Sequence, residues 1–142
     1  MPSYPASGPP NWMADCLEAA KAVMKTHHRF CTCDPESFFR DTTYDVYIQR
    51  DRWDAYAYIT VGRGSRHFPI GVHPVLAESV PWKQRALTVV FMHELLHALH
   101  PEWGHERVNP EQRLLANKGG YADALVELVR LWVNGKLLSC GS

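Results

Sequence analysis

Five consecutive residues, His93-Glu94-Leu95-Leu96-His97, combine two imidazoles and a carboxylate at a spacing suited to metal chemistry. Four residues make just over one helical turn, so on a helix both imidazoles project from one face and can grip one ion. Glu94 sits one residue round, able to reach a metal-bound water without ligating the metal. Zn²⁺ lowers the pKa of such a water to roughly 7, and the carboxylate can take its proton. The pattern predicts a zinc-dependent hydrolase, and among hydrolases a peptidase. In a chain of this composition it arises by accident about 2% of the time, which makes chance a poor explanation. The alternative is a pair of satisfied core histidines beside a buried, paired glutamate. Without a metal each of those polar groups needs its own hydrogen-bond partner, so that arrangement is costly.

A catalytic zinc needs three protein ligands and one position left for water. His105, following Gly104 just past the motif, is the first candidate for the third ligand. Glu111 is the second, its other role being an acid that complements a helix dipole. His100 shares a face with His97, but three ligands from one helix make a poor tetrahedron, and a rim position suits it better. Asp123 is a further candidate. Tyr121 could donate to a developing oxyanion, although a helix tyrosine is more often core. His73 could face a cleft or lie on its rim. Arg50, Arg52, Arg63 and Arg66 form the one candidate phosphate-facing patch. Asp45, Asp51 and Asp54 interleave with them, which favours a mixed solvated surface. Trp12, Trp53, Trp82, Trp103 and Trp132 are scattered, suiting packing better than base stacking.

Elements must hold these residues in place. Asn11 to about Arg29 is expected as a helix, with Met13, Leu17, Ala20 and Met24 at helical intervals and Asn11 or Asp15 favouring its start. Cys31 to Asp41 is expected as a loop, with Pro35 and two adjacent phenylalanines on the core. Residues Tyr44–Ile48 and Tyr56–Val61 show the alternation and β-branched or aromatic content of strands. Gly62-Arg63-Gly64-Ser65 is turn chemistry and predicts a hairpin into a third strand, His67–His73. Pro69 removes a ladder donor there and predicts a sheet edge. The motif helix is expected from about Pro81 to Leu99, apolar on most faces and therefore buried. Pro101 stops it. Asn109-Pro110-Glu111-Gln112 has the character of an N-cap, an N1 proline and an acidic first turn, opening a final helix that runs to about Asn134. Gly119-Gly120 would cost that helix about 2 kcal/mol relative to alanines, which predicts a kink or a close backbone approach.

At 142 residues and 46% hydrophobic, the chain suits one domain with one core. A formal net charge of zero gives no global support for nucleic-acid or membrane binding. No apolar run approaches the roughly 18–20 residues that span a bilayer. Residues 1–10 lack the basic start and apolar core of a signal peptide and suggest a flexible, proline-rich leader, so a cytoplasmic location is expected. Cys16, Cys31, Cys33 and Cys140 are then expected as free thiols. A second zinc site from His27, His28, Cys31 and Cys33 matches no standard finger spacing, and a capping thiolate from Cys140 rests only on its place in the tail.

The order helix, short sheet, HExxH helix, turn, C-terminal helix resembles the minimal zincin layout over about residues 11–135. Within it, Ile70-Gly71-Val72-His73-Pro74-Val75-Leu76, Trp82 and Val90-Phe91-Met92-His93-Glu94-Leu95-Leu96-His97 are similar to small intracellular metallopeptidases of the SprT and WLM groups. Those proteins use HExxH and a later His, and several process DNA-linked proteins. The stretch Glu111 to Asn117 resembles more loosely the glutamate-then-Ala-Asn pattern of ImmA/IrrE-like regulatory peptidases, in which the acid sits nearer the Ala-Asn pair, where this chain has Arg113. The metzincin pattern fails, since His100 and Trp103 stand where it wants a glycine and its third histidine.

The resemblance implies an α+β, zincin-like domain over residues 11–142. It would have an N-terminal helix, a small, mostly antiparallel-edged sheet of three to four strands, a buried HExxH helix and a C-terminal helix. In that layout substrate lies antiparallel to an edge strand, here His67–His73. The expected function is zinc-dependent peptide hydrolysis by a monomer acting on extended polypeptide. Zn²⁺ would be held by His93, His97 and His105, with Glu94 as the base. Three rivals stand: an ImmA-like regulatory protease with Glu111 as third ligand, a non-catalytic metal-stabilised binding module, and an amidase or endoribonuclease on the same centre.

Overall fold

A helix with almost no solvent-facing side lies at the centre of the molecule. The computed structural model describes residues 11–28, 34–49, 55–61, 64 and 66–135. Along the chain come α1 (Asn11–His27), α2 (Pro35–Arg40), β1 (Thr43–Ile48), β2 (Ala57–Ile59), β3 (His67–Val72), a 3-10 turn (Pro74–Leu76), α3 (Pro81–Leu99), α4 (His105–Gly119) and α5 (Ala122–Gly135). Every residue of α3 from Ala86 to Leu96 is buried, so the polar face of a surface helix is missing. Pro81 is its first residue, where a proline loses no helical hydrogen bond. At its other end the His100 N–H still reaches the Leu96 carbonyl (2.8 Å), and Pro101 allows no further turn. Helix α3 packs chiefly on α1, then on α4, α5 and β2. From α1 the stripe Met13, Leu17, Ala20 and Met24 enters the shared core, as its spacing predicts.

The fold is α+β, with five helices and a three-stranded sheet among the described residues, none of the helices long and apolar enough to cross a membrane. Strand β1 pairs with β3 in parallel and β2 pairs with β3 antiparallel, giving the order β1-β3-β2, so the sheet is mixed, with its longer pairing parallel, where a mostly antiparallel-edged one was expected. The expected hairpin between β2 and β3 is therefore present, with Gly64 in its turn at φ 69°.

Pro69 does not mark an edge: β3 is the central strand. In a strand a residue's N–H and C=O point to the same neighbour, and the Pro69 carbonyl accepts from Thr60 N (2.9 Å), on the β2 side. The missing donor thus falls one residue beyond Ile59, the last residue of β2, where the ladder ends anyway. The edge next to α3 is β2.

Two other expectations change. Residues 35–40 form helix α2 where a loop was expected; Pro35 presets its first turn, and the Ser37 hydroxyl donates to the Asp34 carboxylate (2.6 Å). Six residues are too few for a periodic signal. Phe39 is buried, and Phe38 packs partly buried against the core. The single C-terminal helix expected from Asn109 is instead two helices, with the first starting at His105. Gly104 is its N-cap, its carbonyl accepting from both Arg107 and Val108 (3.0 Å each), so Pro110 lies inside α4. Gly120 takes φ 86° and closes α4 with the paired bonds of a Schellman cap, Tyr121 N to Ala116 O (2.7 Å) and Gly120 N to Asn117 O (3.3 Å). A Cβ on Gly119 would lie 2.9 Å from a Val23 methyl of α1, so the close approach is real as well. The leader 1–10, the residues Cys31, Cys33, Cys140, Arg50, Asp51, Arg52, Trp53, Asp54 and Arg63, and the side chain of Trp132 lie outside the described residues.

Candidate metal centre

Helix α3 supplies His93 and His97 one turn apart, and the first residue of α4 supplies His105. Their ligand atoms all lie within 4.8 Å of one another. The ring centroids are 4.8 Å apart for His93–His97, 5.6 Å for His93–His105 and 5.2 Å for His97–His105. The Nε2 atoms of His93 and His97 are 3.1 Å apart. Two nitrogens bound to one tetrahedral zinc stand about 3.3 Å apart, so these side chains need little movement to share an ion. Three imidazoles suit zinc, copper, iron or nickel and are a poor set for magnesium or calcium. The residues therefore fit a transition-metal site with one open position.

The tautomer of His93 follows from its neighbour. Gln112 donates its Nε2 to the Val89 carbonyl (3.1 Å), which turns its Oε1 towards His93. That oxygen accepts only, so His93 donates through Nδ1 (2.9 Å), and its Nε2 lone pair faces His97. Burial holds His93 well below its ordinary value of 6.5, at about 3, with His97 and His105 pushing the same way against Gln112. Burial likewise lowers His97 to about 4, helped by His105. Both imidazoles are neutral near pH 7, the form that binds a metal. Glu94 is fully buried on the same helix, beside His93.

The other candidates lie elsewhere. Glu111 is not in the cluster: its Oε2 accepts from His28 Nδ1 at 2.6 Å. The His28 Nε2 stands 2.8 Å from His100 Nε2, and His100 stacks flat on Trp103 (3.8 Å, 5°). His28 therefore pairs across the fold with Glu111 and His100, where the sequence offered it as a partner for cysteines. Asp123 accepts from Arg85 at 2.8 and 3.0 Å on the surface, and Tyr121 lies under the same guanidinium (4.6 Å). His73 Nδ1 accepts from Val75 N (2.9 Å) and caps the 3-10 turn. Arg66 and Asp45 are exposed. Cys16 is a buried free thiol whose Sγ donates to Gln84 O (3.2 Å).

A cleft of about 500 Å³ opens beside the trio, lined by His97, Pro101, Trp103, Gly104 and His105 together with Ile59 and Val61. The strand at the cleft is thus β2 and its continuation, in place of His67–His73. Sequence reasoning missed Gln112; its position seven residues after His105, two turns along the same helix, was the available signal. Comparison with protein-family models, with curated proteins and with solved structures returned no match.

Proposed function

We propose that this chain is a zinc-dependent peptidase with a zincin-like layout. The observation that carries the proposal is the convergence of His93, His97 and His105 within 4.8 Å, beside a buried glutamate one residue from the first ligand. Zinc held by the three imidazoles would supply a Lewis acid for the scissile carbonyl and bring the pKa of a water near 7. Glu94 accepts the proton that the attacking water releases as its oxygen adds to the carbonyl carbon. The same carboxyl oxygen then passes that proton to the amine nitrogen as the C–N bond breaks. Gln112 keeps the His93 lone pair turned towards the centre throughout. The outer edge of β2, with Ile59 and Val61 at the cleft, takes the substrate as an added extended strand.

Cleavage of an unfolded protein such as casein tests this, with zinc supplied or chelated, with or without single-stranded DNA, and beside Glu94→Gln. We expect zinc-dependent cleavage that falls at least about 100-fold in the variant, the usual scale of a general base. DNA stimulation would point to processing of DNA-linked proteins. A fully metallated protein that cuts nothing would remove the general-protease reading, and a function that survives Glu94→Gln would make the metal structural.

A further inference from the structure

The cluster formed by His28, His100 and Glu111 takes no part in the reaction proposed above. His28 is 1% exposed and His100 4%, at places where apolar side chains would pack without desolvation cost. A carboxylate only accepts, so His28 carries a proton on Nδ1 for Glu111, and the two Nε2 atoms, 2.8 Å apart, share one proton between them. His28 is fixed to the end of α1 by its N–H on the Met24 carbonyl (2.9 Å). Glu111 stands on α4, six residues after His105. His100 belongs to the turn that carries the chain from His97 to His105. Its carbonyl accepts from Trp103 N (3.0 Å), its ring lies on Trp103, and the Arg107 guanidinium covers that indole at 4.3 Å. The residue after Trp103 is the N-cap of α4 and the next is His105.

The turn before His105 and the helix after it are therefore both tied to this cluster. The centre takes two ligands from one rigid helix, whereas the third comes from a different helix across a short turn. We propose that the chain Glu111–His28–His100, closed by the stack on Trp103, positions His105 and so sets the metal affinity of the three-histidine centre. His28, His100 and Glu111 are positioning residues, acting on the metal only through the placement of His105. The proposal rests on the metal-centre reading above.

The test loads the full chain with Co²⁺, whose visible spectrum reports ligand number and geometry, and measures Zn²⁺ affinity by chelator competition. It compares wild type with His28→Ala, Glu111→Ala and Glu111→Gln, recording the melting temperature of each metal-free protein. We expect Glu111→Ala and His28→Ala to weaken Zn²⁺ binding about 10–100-fold, the range seen when a partner of a metal ligand is lost. Their Co²⁺ spectra should move away from the tetrahedral form. Glu111→Gln, which can still accept from His28, should regain most of the affinity. Glu111 is partly exposed, so its variants serve if His28→Ala does not fold. Wild-type affinity and an unchanged Co²⁺ spectrum in Glu111→Ala, with only the melting temperature lowered, would overturn the positioning role and leave the metal centre standing. A wild type that binds neither ion would overturn both.

Discussion

Two groups of imidazoles flank the same turn, one running from buried His93 to exposed His105 and the other buried at His28 and His100, and their partners differ. In one, the ligand atoms of His93, His97 and His105 converge within 4.8 Å, and the Gln112 amide fixes the His93 tautomer. In the other, His28 is held between Glu111 and His100, and His100 is stacked on Trp103. Residue type alone does not separate them, since both hold histidines spaced along or next to helices. The partner does. A carboxylate at 2.6 Å takes the Nδ1 hydrogen bond of His28 and makes it a strut, while burial first and neighbouring imidazoles second hold His93 and His97 in the neutral form.

Breaking the first group should have the largest effect. On the proposed reading, His97→Ala takes a ligand from the rigid helix and should abolish stoichiometric zinc binding in a titration followed by elemental analysis, whereas changes in the second group should only weaken it. Gln112→Ala frees the His93 ring to flip, and we expect about 10–100-fold weaker zinc binding by chelator competition.

The contrast also predicts an acid response. His93 and His97 are depressed to about 3 and about 4 in the folded chain against 6.5 when unfolded. Below pH 6.5 the unfolded state takes up protons that the folded state refuses, so stability is full above 6.5 and declines as pH falls towards 4 and then 3. Urea unfolding of the metal-free protein should show this, and replacing His93 with Gln should flatten the decline. A pH-independent midpoint across that window would count against the buried neutral pair. The smallest effect belongs to Asp123, paired with Arg85 on the surface: Asp123→Asn should leave zinc affinity unchanged, as expected of an acid outside the centre.

The parts legible in the sequence were those set by local pattern. The bounds of α3 follow from Pro81, a continuous apolar run and Pro101. The trio follows from one helical turn plus a glycine that lets the chain fold back. The parts that misled were those settled by distant contacts. Pro69 suggests an edge only until its neighbours are known: its carbonyl still accepts from Thr60, and the missing donor falls at the last rung of the pairing with β2. Asn109-Pro110 has the composition of a helix start, yet α4 begins four residues earlier, with the Gly104 carbonyl taking two N–H groups. The pairing of His28 with Glu111 spans 83 residues and no local spacing signals it.

The shortness of β2 has a consequence for solubility. A sheet edge open enough to take a guest chain is equally open to copies of itself, and long, flat, apolar edges template aggregation. Three residues of β2, followed by a position where β3 has no donor to return, offer too short a template for stacking strand upon strand. Under the proposed function, a substrate chain docking there would need added contacts in the neighbouring cleft.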